Sequence, residues 1–167
     1  MKKFIGKQKF ETETLSVKDT YIALAKKDEH AACKLVDFNL YNEAIYMYVQ
    51  AMEKKIKGYI CGKVDAFNPY FAEKLRNIGH SLDKSIEFLI EILAGNNNTL
   101  KIQLTEQLKS GVFQNINFSQ LHNDCRYPKY NSFKKCYSIL QFSKEDCLRI
   151  ADINKQLDRF IEAFDRL

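Results

Sequence analysis

The chain has 167 residues and a formal net charge of +5, with 46% hydrophobic and 28% charged residues, the composition of a soluble domain long enough to bury a core. Six glycines and two prolines are too few breaks for a many-turned β fold. No run approaches the roughly 20 apolar residues that cross a bilayer.

The N-terminus, MKKFIGKQKF, holds no apolar stretch of signal-peptide length. Residues 1–15 carry Lys2, Lys3, Lys7 and Lys9 without a clear period and read as a basic tail or docking arm. Residues 16–167 read as a single helical domain. Ser16-Val-Lys-Asp19 fits a capping box, in which hydroxyl and carboxylate satisfy the free N–H groups of a first turn. Tyr21, Leu24, Ala31 or Ala32, Leu35 and Phe38 then recur at helical spacing, leaving KKDEH at 26–30 as the solvated face.

A turn near Asn39–Asn42 precedes a second helix over 43–60, with Ile45, Tyr48, Met52, Ile56 and Tyr59 on one face. Glu53 and Lys57, at i, i+4, are expected on its solvated side. The two helices predict an antiparallel hairpin. Residues 61–70 read as a loop ending in Asn68-Pro69. Leu82, Ile86, Leu89 and Leu93 predict a third helix stopped at Gly95. A fourth runs from Thr99 to Lys109 before Gly111, and a short fifth covers Gln114–Asn123. The last starts at a second capping box, Ser143–Asp146, and continues through Ile150, Ile153, Leu157 and Phe164. No strand pattern competes, so the chain reads as an all-α antiparallel bundle of four to six helices.

Three constellations carry candidate chemistry. Residues 126–137, RYPKYNSFKKCY, hold Arg126, Lys129, Lys134 and Lys135 with no acid, interleaved with Tyr127, Tyr130, Phe133 and Tyr137. Cations meet phosphate and rings stack on bases, the mixture that suits nucleotide or RNA; the plainer alternative is core rings with solvated lysines. Pro128 pushes Tyr127 out of the helical region, so a helix must end there. Arg126 at that break either binds a phosphate or pairs with Asp124 or another carboxylate.

Arg76 and His80 form the second constellation, a phosphate stabiliser and a general acid/base for RNA cleavage, or else a polar loop in which His80 and Ser81 serve as caps. The third is His30-x-x-Cys33 with His122-x-x-Cys125. A His2Cys2 zinc site needs such ligands, but both pairs fall in helical stretches rather than knuckles, so no metal or cofactor is expected. The five cysteines include no C-x-x-C pair, which points to reduced thiols and a cytoplasmic setting.

Three stretches together resemble the HEPN family of small helical bundles. YNEAIYMYVQAMEKKIKGYI resembles its second helix through Ala44, Gln50, Ala51, Glu53, Lys54 and Lys57. IGHSLDKSIEFL is similar to its GHDL-x-x-L helix start through Gly79, His80, Leu82 and Leu89. LHNDCRYPKY resembles its RYP-bearing segment through Arg126, Tyr127 and Pro128. The likeness covers roughly residues 20–165. It implies a bundle, usually a homodimer, tied to nucleotide or RNA and often paired with a small nucleotidyltransferase.

A second branch of that family comprises ribonuclease toxins with R-x4-6-H; Arg76 to His80 is R-x3-H, one residue short. The expectation is therefore a non-catalytic binding module, in which Arg126 holds a phosphate and Tyr127 stacks or caps. His80 lines the site, with Lys129 and Lys134 nearby. The alternatives are a metal-independent ribonuclease of toxin or defence type, using His80 and Arg76, and a purely structural dimeric bundle.

Overall fold

The computed structural model describes Gly6 and residues 14–166, with side chains from Val17 onward. The basic arm expected over 1–15 therefore falls outside the described residues, apart from Gly6 and the backbone of Thr14 and Leu15. Among the described residues the fold is an all-α bundle of seven helices with one small two-stranded ribbon. The helices are α1 (Thr14–Asp37), α2 (Tyr41–Lys63), α3 (Pro69–Ile78), α4 (Leu82–Ala94), α5 (Asn98–Thr105), α6 (Phe118–Asp124) and α7 (Lys144–Asp165). A π-helical turn, Glu106–Val112, continues α5, and β1 (Lys129–Asn131) pairs antiparallel with β2 (Cys136–Ser138).

The extra helix is α3: the loop expected over 61–70 is shortened at both ends, because α2 runs on to Lys63 and α3 starts at Pro69, and Arg76 lies on this helix instead of in a polar loop. Its start was encoded: Asn68 Oδ1 accepts from the Tyr70 N–H at 3.0 Å, and Pro69 sits at the first helical position, where its missing N–H costs nothing. α1 begins two residues before Ser16, so the first capping box falls inside the helix, within the ordinary scatter of helix ends. Gly111 lies within the π turn instead of ending the fourth helix; the Phe113 N–H reaches back to the Leu108 carbonyl at 2.8 Å and closes that wider turn. The second box is present in full. Ser143 Oγ accepts from the Asp146 N–H at 3.2 Å, and Asp146 Oδ2 accepts from the Ser143 N–H at 2.8 Å.

α2 is the axis of the bundle. From Ala44 to Cys61 nearly every residue is buried, because α1, α4, α6 and α7 all pack on it. α1 approaches closely at Gly58, where an added Cβ would stand 3.0 Å from Ile22 Cδ1 and 3.1 Å from Tyr21 Cβ. Of the expected α1 stripe, Ala32 is buried and Leu35 packs on the core, while Leu24 and Phe38 are exposed and Ala25 faces inward in place of Leu24, since small residues let the two helices come together. α7 runs parallel to α2. Cys147 Sγ lies 3.5 Å from the Tyr41 carbonyl at one end, and Lys63 pairs with Asp165 at 2.9 Å at the other. Between them Lys55 binds both Glu29 at 3.2 Å and Asp158 at 2.7 Å, and Lys54 pairs with Asp28. The acids of KKDEH are thus clamps from α1 onto α2, not a solvated face.

Among the described residues the ribbon is the one departure from the expectation of helices without strands, and it occupies the stretch between the break at Pro128 and the last helix. Both strands are exposed throughout. Asn42, at the start of α2, holds its base: Nδ2 donates to the carbonyls of Leu140 at 2.8 Å and Cys125 at 3.5 Å, and Oδ1 accepts from the Phe142 N–H at 3.3 Å.

Candidate functional site

Tyr46, Gln50, Glu53 and Lys57 are spaced four, three and four along α2, which places them on one helical face. Glu53 and Lys57, expected on a solvated side, are only 2% and 6% exposed. Other helices cover that side of α2 and enclose the pair. Lys57 Nζ donates to Glu53 Oε1 at 2.7 Å and also to the Gly79 carbonyl; Gln50 Nε2 donates to Glu53 Oε2 at 3.4 Å. Two enclosed charges are tolerated only when they neutralise each other and their remaining hydrogen-bonding positions are filled. Here they are.

The turn between α3 and α4 supplies the next two groups. Gly79 has φ 60° and ψ −131°, a conformation that a side chain would strain. It turns its carbonyl onto Lys57, and the adjacent His80 places Nδ1 3.6 Å from Glu53 Oε1. The His80 side chain is 78% exposed, so one edge of the imidazole meets the buried carboxylate while the ring stands in solvent.

α6 and its C-terminal break bring in His122, Arg126 and Tyr127. Arg126 and Tyr127 N–H groups both reach the Asn123 carbonyl at 3.0 Å, closing the helix before Pro128. The Arg126 guanidinium lies over two rings, 4.8 Å from the Tyr46 centroid and 4.9 Å from that of Tyr127, and Nη2 donates to Tyr127 Oη at 2.8 Å. Tyr46 also meets the His122 ring, with centroids 5.1 Å apart. Burial holds the His122 imidazole below its ordinary pKa; Arg126 pushes the same way, and Glu53 opposes them. His122 Nε2 is closed to solvent and has no hydrogen-bond partner among the described residues.

Arg126 makes no ion pair among the described residues. Asp124, the partner weighed for it, takes a hydrogen bond from Gln120 at 3.1 Å and lies 3.9 Å from Lys129. Rings on two sides hold the guanidinium flat by cation–π attraction. Only Nη2 is engaged in a hydrogen bond among the described residues, and a guanidinium carries five N–H donors in the fork that grips phosphate.

Of the residues singled out in the sequence, His80, Arg126 and Tyr127 gather around α2. Arg76 does not join them: it lies on the last turn of α3, exposed, 3.8 Å from Glu73. Lys129 begins β1, and Lys134 lies in the ribbon's loop, where its N–H donates to Asn131 Oδ1 at 2.9 Å. Tyr46, Gln50, Glu53, Lys57 and His122 were not read as site residues. The signal for the first four was a polar stripe at helical spacing beside the apolar one on the same helix.

The two His/Cys pairs stay apart. Cys33 Sγ sits 3.3 Å from Tyr48 Oη on α1 and α2, while the Cys125 thiol donates to the Leu121 carbonyl at 2.9 Å. Among the described residues no three His, Cys, Asp or Glu side chains gather as a metal would require. Burial pushes the Cys125 thiol up to about 11, too high for a thiolate nucleophile at neutral pH. A separate hollow of 440 Å³ lies between α4, the π turn and α6, lined by residues that include Asp83, Lys109, Asn115 and Asn117. The chain matches no family model, and no curated protein or solved structure matches it.

Proposed function

We propose that the chain is a HEPN-type binding module that holds the phosphate of a nucleotide or of an RNA end in the cluster around Arg126. The observation that carries this reading is a guanidinium set against two aromatic rings with no carboxylate of its own among the described residues. Arg126 grips the phosphate, Tyr127 stacks on or caps the base, and His80 donates from the exposed rim. The HEPN assignment draws support from a convergence. Gln50, Glu53 and Lys57, then Gly79 and His80, then Arg126 and Tyr127 come from the three stretches that carry the resemblance, and they meet in one cluster. A small nucleotidyltransferase is the protein partner that the same reading implies.

Two results test it. A 5′-mononucleotide should bind while its nucleoside binds far more weakly. Arg126→Ala should weaken the nucleotide by about 1–3 kcal/mol, the range for a charge-assisted hydrogen bond, and leave the melting temperature nearly unchanged. Equal affinity for nucleoside and nucleotide would overturn it.

The ribonuclease alternative keeps one specific support. Arg76 is committed to Glu73, yet His122 adds a second imidazole to the cluster that holds His80. An acid and a base are what cleavage through a 2′-hydroxyl needs. Incubation with mixed RNA in chelator decides between the two readings: the binding module leaves the RNA intact.

A further inference from the structure

The ribbon that follows Pro128 is not used by the phosphate site, and its surface chemistry is unusual. β1 and β2 set Tyr130 directly opposite Tyr137, with ring centroids 5.2 Å apart, so both rings share one face. Tyr130 is 55% and Tyr137 72% exposed, and Phe133 in the connecting loop is 93% exposed. Lys134 and Lys135 follow Phe133, and Lys135 takes φ 48°, a left-handed position that usually selects Gly or Asn. No acid occurs between residues 126 and 143.

Rings this exposed contribute nothing to the core, and cations without acids repel one another. The Tyr130–Tyr137 contact offsets part of the first cost; a partner that is negative and offers flat apolar faces would relieve both. A stable protein interface takes roughly 20–30 residues a side, and the ribbon over 129–138 offers ten. A single strand of nucleic acid asks for less: one ring under a base, and a cation near each phosphate.

We infer that this ribbon is an arm that captures a single-stranded polynucleotide. Tyr130, Tyr137 and Phe133 stack on successive bases, and Lys134 and Lys135 meet the backbone between them. Only Pro128 separates Tyr127 from β1, and Asn42 fixes the ribbon's base against α2. A strand lying on the arm therefore leads towards Arg126. The inference deepens the phosphate-binding reading and rests on it for the strand's anchored end: the ligand is a polynucleotide rather than a free mononucleotide.

Fluorescence anisotropy with 5′-phosphorylated, labelled U12 and dT12, beside titration of 5′-UMP, tests the arm separately from the anchor. The substitutions are Tyr130→Ala with Phe133→Ala, and Lys134→Ala with Lys135→Ala, all at exposed positions; circular dichroism confirms folding. The ring pair should weaken the oligomer by about tenfold per ring and leave UMP binding unchanged. The lysine pair should flatten the salt dependence by about 1.4 in slope, since each phosphate contact on a single strand is worth about 0.7. Tighter binding of U12 than of dT12 would assign the strand as RNA; equal binding would leave it as either nucleic acid.

Oligomer affinity unmoved by the ring pair would overturn the arm while UMP binding still upheld the anchor. Loss of the oligomer in a protein that never binds UMP would uphold the arm and sink the anchor. A protein that fails to bind U12 and dT12, and passes from dimer to monomer when the two rings are removed, would assign the ribbon to a second copy of the chain and overturn the inference.

Discussion

Lys57 is held inside the bundle by Glu53 and the Gly79 carbonyl, so its loss strands a carboxylate that water cannot reach. Lys57→Met should cost about 3–5 kcal/mol, the usual penalty for breaking a buried pair, read from urea denaturation. Adding Glu53→Gln in the same chain should restore most of that loss, because no uncompensated charge then remains. His122 gives a pH signature. Its folded pKa lies below the ordinary 6.5, chiefly through burial, so the unfolded chain binds its proton more readily. The stability this provides is present above pH 6.5 and is lost as pH falls through the lower folded value. The melting temperature should drop between pH 7 and 5.5, and His122→Gln should flatten that drop.

These residues were partly legible beforehand. The i, i+4 spacing of Glu53 and Lys57 predicted their contact, but one chain cannot tell which side of a helix its other helices will cover. The polar stripe Tyr46, Gln50, Glu53, Lys57 is present in the spacing, but of its members only Glu53 and Lys57 were read together, as a solvated pair. His122 was read only as half of a metal cue, because its approach to Tyr46 and Arg126 depends on how α6 docks.

Among the elements, α2 was legible from its apolar stripe although no side chain caps it, and α7 from its stripe and cap together. The box at Ser143 and Asp146 starts α7 as its residues predict, and the Ser143 N–H and hydroxyl hold the Asp146 carboxyl below its usual range. Ser143→Ala should destabilise the protein by about 1 kcal/mol, the common worth of an N-cap. The wild-type box itself should weaken in acid, as pH falls from 3.8 through the lower folded value. α3 was missed although Asn68-Pro69 marks its start and Phe71, Leu75 and Ile78 fall at helical spacing, because ten residues give that stripe fewer than three turns in which to repeat. The ribbon was missed for another reason: strands of three residues carry too little alternation to register as a period. Asn42 is what ties that ribbon to the bundle. Asn42→Ala should destabilise the protein by about 1–2 kcal/mol for its partly exposed hydrogen bonds, and should speed cleavage within 126–142 by limited proteolysis.

At the scale of the molecule, all-α architecture followed from the helical stripes and the scarcity of breaks. The parallel course of α2 and α7 did not, since it depends on how the intervening helices carry the chain back. That course makes α2 central and explains why its polar residues are enclosed and paired. Lys54 and Lys55 fasten α1 and α7, while Gln50, Glu53 and Lys57 support His80 and lie beneath the Arg126 cluster. The central claim is that this cluster is one phosphate site. Titrating 5′-AMP into protein with ¹⁵N-labelled histidine and arginine tests it most directly. The account predicts that the His80 and His122 ring signals and the Arg126 guanidinium signal move together and saturate with a single Kd. Those signals standing still, while backbone amides around the hollow at Asn115 and Asn117 shift, would contradict it.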